Sequence, residues 1–441
     1  MNDSRTMTVW MCLGLLVVVG VFLLFFGQMD RWTNWQKSRF GVTGDGPAKP
    51  PALITGGTAD ETNEPIEPTL MSLRAAQEAL ANRLLEALRG RVQSIGAMEN
   101  EALLTFKSQE ALMAFLKRSG GAGLRVLGQL DALRTVRVGY DSLERLRSEL
   151  LNHGDDYADV GANYLVRVPG LPPAENRVGG DSPFGETVMT ALGANVDRSQ
   201  WGNGVVVAVV DTGVVDHPAF RERQIRHVDL VKDGQVFDGH GTAMASLIAG
   251  SKPGAEGLAQ AAQLLDVRVA DANGESDSFM LASGITTAVN EGAHIINISL
   301  VSYGDAPVVR SAVREAHERG VVIFAAVGNE QAGIKGLPAD IPGVVSVSGV
   351  DADGELAYFS NSGDPTIAAP AVSIPSAYFE DGRNFYVLGD GTSQASALAA
   401  GMGAVYRGWG FNVREAITSR ARPVNASPHE VGAGVLFLGP K

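Results

Sequence analysis

From residue 205 onward, short uninterrupted apolar runs alternate with longer segments of mixed polarity. The runs are Val205–Val210, Gln263–Val269, His294–Leu300, Val321–Val327 and Val344–Val350. Strands that are apolar on both faces belong in parallel sheets covered by helices on both sides. Between the runs, Gly241–Ala249, Phe279–Asn290 and Val308–Arg319 carry helical apolar spacing. Strands alternating with helices predict an α/β domain with a doubly wound, mainly parallel sheet. Its site is expected at the C-terminal strand ends.

A different pattern precedes this domain. Ala102–Phe106, Leu124–Leu130, Thr135–Val138 and Tyr164–Val168 read as strands. Gln109–Lys117 and Ser142–Leu151 read as helices, with Leu112, Phe115 and Leu116, then Leu143, Leu146 and Leu150, on one face. The order strand-helix-strand-strand-helix-strand predicts a small ferredoxin-like α+β domain over residues 91–170. That fold serves many functions and assigns none by itself. Leu73, Leu80, Leu84 and Leu88 mark an amphipathic helix over 70–90. It holds fewer than three heptads, so packing on the next domain is expected before self-association. Residues 41–69, rich in Gly and Pro, read as a flexible linker.

Val9–Gly27 is a run of nineteen residues without a charge, close to bilayer length for a helix. Trp10, Trp32 and Trp35 stand where interfacial aromatics would. A cleaved signal peptide is the competing reading. The run is long for one, and Gly27-Gln28-Met29-Asp30 offers no small-x-small cleavage site. Residues 1–40 are therefore expected to be a tail and a single transmembrane helix that makes the membrane a partner.

Composition narrows the partners. The 441 residues hold 36 Lys and Arg against 49 Asp and Glu, a net charge of −13. That balance argues against nucleic acid, which demands a basic surface. Apolar residues are 45% and charged residues 19%, which excludes a wholly disordered chain. Cys12 is the sole cysteine, so an intrachain disulfide and a cysteine metal cluster are both excluded.

Four segments at strand or helix ends carry candidate chemistry. Asp211 follows the first Val run in Val210-Asp211-Thr212-Gly213; alone it reads as a turn cap. His240, in Asp238-Gly239-His240-Gly241-Thr242, opens a small-residue helix between two glycines that permit close approach. Ser393, in Gly391-Thr392-Ser393-Gln394-Ala395-Ser396, stands at a helix N-terminus, where the dipole favours negative charge. Each could be an ordinary structural residue. Together they fit one chemistry: a base activates a serine hydroxyl, and a buried carboxylate orients that base. In Ala325-Ala326-Val327-Gly328-Asn329-Glu330, Asn329 could offer its amide to a developing oxyanion, opposite the Ser393 N–H.

These segments, in the order Asp, His, Ser, resemble the subtilisin-like serine protease family over about residues 181–434. The resemblance implies that Asp211 orients, His240 acts as base then acid, Ser393 attacks and Asn329 completes the oxyanion hole. It implies protein or peptide substrates lying along Ser299, Leu300 and Val301, with Ala326 and Gly328 opposite, and no cofactor. It further implies that residues 91–170 resemble the family's propeptide, an intramolecular inhibitor ending in Asn163-Tyr164-Leu165-Val166-Arg167-Val168-Pro169. Its last strand would then lie in the substrate cleft, and self-cleavage would fall within Tyr164–Pro183. Val301 and Ser302 replace two glycines usual in the family, which implies a narrowed pocket. Ala243 and Ala397 depart from the family pattern at positions the chemistry does not require. Ala219 stands where relatives place a calcium-binding Asp, and the Gly250–Gly257 connection is short, so no tight metal site of that kind is expected.

Two other readings stand beside the enzyme. A silent subtilase-like scaffold would keep its cleft filled by its own inhibitory module. A dinucleotide-binding enzyme lacks the G-x-G-x-x-G after its first strand. The side of the membrane is contested. Arg31, Lys37 and Arg39 lean toward a cytoplasmic body, while the resemblance implies an extracytoplasmic one, which is the expectation adopted.

Overall fold

The computed structural model describes residues 70–92, 96–172, 181–220, 225–235 and 239–439. The expected membrane segment Val9–Gly27 and the linker 41–69 lie outside them. No helix among the described residues is long and apolar enough to cross a membrane.

Helix α1 (Leu70–Val92) buries Ala81, Leu85 and Leu88. A small sheet follows from β1 (Glu101–Phe106), α2 (Gln109–Ala122), β2 (Leu124–Leu130), β3 (Thr135–Tyr140), α3 (Leu143–His153) and β4 (Tyr157–Gly161). Its strand order is β2-β3-β1-β4, with antiparallel pairing throughout. Ser108 caps α2 by accepting the Ala111 N–H at 3.2 Å, as a Ser before a helix should.

The closing strand differs from the expectation. Tyr157–Gly161, not Tyr164–Val168, is the fourth strand of this sheet. Tyr157-Ala158-Asp159-Val160-Gly161 has too few apolar residues to announce a strand. The pairing becomes favourable only beside β1, where Tyr157 and Val160 are buried. The chain then leaves the sheet, and β5 (Leu165–Arg167) pairs with the large domain.

The large domain contains β6 (Val206–Asp211), β7 (Arg226–Asp229), α4 (Gly239–Ala249), β8 (Gln263–Arg268), β9 (Glu275–Asp277), α5 (Ser278–Asn290), β10 (Ile295–Ile298), α6 (Pro307–Glu318), β11 (Val322–Ala326), β12 (Val345–Val350) and β13 (Ile367–Pro370). Seven of these strands form a sheet ordered β13-β12-β11-β10-β6-β8-β7, parallel at every pairing. The five apolar runs supply its middle. The edge strands β7 and β13 were not marked by such runs.

A hairpin of β14 (Ile374–Glu380) and β15 (Arg383–Gly389) leads to α7 (Thr392–Gly408), and α8 (Val413–Ser419) follows. Helix α7 is buried from Thr392 to Tyr406. Its small residues allow that burial. A Cβ at Gly403 would stand 2.6 Å from the Phe324 ring of β11. Strand order reverses at β6, so Asp211 ends its strand at the topological switch point, where open α/β sheets place their sites.

Candidate active site

Asp211 is the last residue of β6 and is fully buried. Its Oδ1 accepts the Thr212 N–H at 2.8 Å and lies 2.7 Å from His240 Nδ1. A carboxylate on Nδ1 fixes the imidazole so that Nε2 faces outward as a base. Close approach explains how α4 brings His240 there. A Cβ on Gly241 would collide with the Gly213 carbonyl, and one on Gly239 with the Phe379 carbonyl.

Ser393 lies in the first turn of α7 and is 2% exposed. Its Oγ makes no hydrogen bond among the described residues. A serine–histidine hydrogen bond often tightens only when substrate is bound. Asn329 follows β11 by three residues. Its Oδ1 accepts the Thr392 N–H at 3.0 Å and the Thr392 hydroxyl at 2.8 Å, so its Nδ2 must point the other way. That Nδ2 donates to the Pro169 carbonyl at 3.0 Å.

The segment before Pro169 lies along the large domain as an added strand. β5 pairs antiparallel with β9, in register Arg167 with Glu275 and Leu165 with Asp277. Val168 N–H donates to Gly274 O at 2.9 Å. On the other side Arg167 exchanges two hydrogen bonds with Val301, at 3.0 and 2.8 Å. Such main-chain pairing is how extended peptides are held by β-augmentation.

Of the residues marked for substrate in the sequence, Val301 meets this strand directly. Leu300 is fully buried, and Ser299 Oγ lies 3.4 Å from the Ser393 carbonyl. Ala326 pairs within the sheet against Val347. Gly328, at φ +112, has its N–H 3.3 Å from Thr392 Oγ1. Gly274 and Glu275–Asp277 were not marked; their polar sequence shows no strand pattern until a second chain segment pairs with them.

Charge concentrates where the small domain meets the large one. Arg137 binds Glu101 with two nitrogens, both at 2.8 Å, and reaches Asp277 at 2.8 Å. Asn163 donates to Glu101 at 2.9 Å and accepts from Ser278 Oγ at 2.9 Å and Phe279 N at 3.1 Å. Burial pushes the Asp277 carboxyl up, against the pull of Arg137. Burial acts the same way on Glu101, but the Arg137 and Asn163 hydrogen bonds outweigh it and hold that carboxyl below its usual range. Near the triad candidates, burial pushes Asp266 up. His227, 2.9 Å away, is raised by that hydrogen bond. Among the described residues there is no cluster of three His, Cys, Asp or Glu suited to a metal.

The Subtilase family matches residues 202–434, more than half of the chain. A thermostable alkaline protease of Halalkalibacterium halodurans is 34% identical over 275 residues, 60% of this chain and 75% of that protein. Alkaline elastase YaB of a Bacillus species is 30% identical over 332 residues, 71% of this chain and 83% of that protein. Fervidolysin from Fervidobacterium pennivorans, a keratinolytic enzyme related to subtilisin, shares the fold. Its TM-score is 0.66 at 22% identity, covering 79% of this chain and 62% of the other. The chain belongs to the subtilase family, and it is a serine endopeptidase acting on peptides or proteins.

Proposed function

We propose that this endopeptidase works through Asp211, His240 and Ser393, with Asn329 as an oxyanion donor. We also propose that residues 91–170 are its propeptide, holding the precursor inhibited. The observation that carries the reading is the Pro169 carbonyl on Asn329 Nδ2 at 3.0 Å, at the end of a strand paired along the cleft. An oxyanion donor aimed at a peptide carbonyl is what acyl transfer requires. The breadth of the similarities supports the propeptide assignment. The elastase match covers 71% of the chain and the fervidolysin match 79%, more than residues 181–441 can supply.

In the proposed cycle His240 Nε2 takes the Ser393 proton as Oγ attacks the carbonyl carbon. Asn329 Nδ2 and the Ser393 N–H receive the oxyanion. His240 then gives its proton to the leaving amine, and water resolves the ester by the same steps. Val9–Gly27 would tether the precursor to a membrane, with the body on the extracytoplasmic side. Autocleavage would then free the peptidase and leave the inhibitor on the membrane.

Ser393→Ala should abolish both self-cleavage, read by intact mass, and labelling by a fluorophosphonate. The filled cleft and the unpartnered Ser393 Oγ favour a second reading, a silent scaffold. Wild-type protein that neither cleaves itself nor takes the label would establish that alternative. Recovery of active peptidase still joined to residues 1–160 would refute release by autocleavage.

A further inference from the structure

Building on the peptidase reading above, we infer that the self-cleaved bond is Pro169–Gly170. We further infer that the enzyme cuts after small residues, proline among them, because Tyr303 and Val301 close its pocket.

The bond follows from the register of the docked strand. Main-chain pairing binds Arg167 to Val301 and Val168 to Gly274. The next residue, Pro169, has no N–H to continue the ladder, and its carbonyl receives the Asn329 amide instead. Pro169 is buried while Gly170 is exposed. Hydrolysis there would form the Ser393 Oγ–Pro169 C bond and break the Pro169 C–Gly170 N bond. The serine proton would pass through His240 to the Gly170 amine. Water would then release the Pro169 carboxylate and restore the hydroxyl.

The pocket follows from a fixed side-chain cluster next to Asn329. Asn361 Nδ2 donates to Tyr303 Oη at 2.8 Å, to Glu330 Oε2 at 3.0 Å and to the Val327 carbonyl at 3.1 Å. Tyr303 O–H donates to Glu330 in turn. The phenol is thus held from two sides. A Cβ on Gly328, the residue before Asn329, would stand 2.5 Å from Tyr303 Oη and 2.6 Å from Glu330 Oε2. A Cβ on Gly336 would stand 3.1 Å from Val301 Cβ and 3.4 Å from the Tyr303 ring. The gaps at these two glycines are therefore bordered by Tyr303, itself 41% exposed, and by Val301. A short ring such as proline needs little room. A Phe or Lys side chain reaching between these glycines would press on a hydrogen-bonded tyrosine, and a narrowed site discriminates by steric cost.

The test is intact mass on the full chain, comparing wild type, Pro169→Ala, Pro169→Phe and Pro169→Phe with Tyr303→Ala. Wild type and Pro169→Ala should be cut after residue 169. Pro169→Phe should be cut at least tenfold more slowly, and Tyr303→Ala should restore most of that loss. Should the double variant fail to fold, processed wild-type enzyme on Val-Arg-Val-Pro and Val-Arg-Val-Phe reporter peptides makes the same comparison. There kcat/KM should favour proline at least tenfold. Cutting at another bond, or a fluorophosphonate-labelled wild type that stays whole, overturns the assigned bond. Equal cutting of Pro169→Phe, or a preference for aromatic or basic residues, overturns the closed pocket. Loss of both cleavage and labelling in wild type instead sinks the underlying assignment of an active triad.

Discussion

The amide of Asn329 is held at one end and meets the Pro169 carbonyl at the other. Thr392 donates twice to its oxygen, leaving the NH2 group no orientation but toward the cleft. Such a donor contributes where charge develops. Asn329→Ala should therefore lower kcat by about 10²–10³ with little change in KM. Steady-state kinetics on a reporter peptide would check this, and an equal rise in KM would mean that the amide merely binds. At the same scale, Asp211 was legible in the sequence because it ends an apolar run, and His240 because it opens a small-residue helix between two glycines. The Tyr303–Glu330–Asn361 cluster was not. Its members lie far apart along the chain, and none carries a pattern that foretells their meeting.

Helix α4 shows how an element can be constrained by what it must approach. In an exposed helix, Gly→Ala gains up to about 1 kcal/mol. At Gly241 the added carbon would meet the Gly213 carbonyl, and such overpacking costs about 1–3 kcal/mol. The clash exceeds the propensity gain, so Gly241→Ala should destabilise and pull His240 away from Asp211. Thermal unfolding and kcat should both fall; a stabilised, fully active variant would contradict the close approach. Three helices of the large domain were readable from apolar spacing and its five central strands from continuous apolar runs, whereas α8 (Val413–Ser419) was not foreseen. The edge strand β7, Arg-His-Val-Asp, was not, because one neighbour suffices for an edge and no continuous apolar run is needed.

Across the whole molecule, the small domain is bound by a strand, an apolar contact and the ion pair of Arg137 with Asp277. The buried apolar cluster runs without a break from Phe106 and Leu146 of the small domain to Ile285 and Val309 of the large one. Arg137 is the charge that spans the two. Removing it strands Asp277 and Glu101 in a mostly buried setting. A charge-assisted hydrogen bond is worth about 1.5–3 kcal/mol, which corresponds to about tenfold or more in affinity. With residues 91–170 inhibiting as proposed, Arg137→Ala should therefore shorten the lag before activity appears after self-cleavage by about tenfold. An unchanged lag would show that the strand and apolar contact hold the domain alone.

The sequence by itself determined the parallel core and the order of a small mixed α+β segment before it. It also picked out Asp211 and His240, which the structure brings together at 2.7 Å, and Asn329 beside the turn that carries Ser393. Apolar periodicity reports burial wherever a segment buries most of its surface, and each of those features depends on such a segment. Only the tertiary structure decided which partners the chain from Asn163 to Pro169 takes. Its sequence suits a strand in either domain, and it is drawn out of the small sheet because β9 and Val301 offer hydrogen-bond partners there. Pairing partners so distant in sequence leave no local trace, so the contact between Pro169 and Asn329 could be found only in three dimensions.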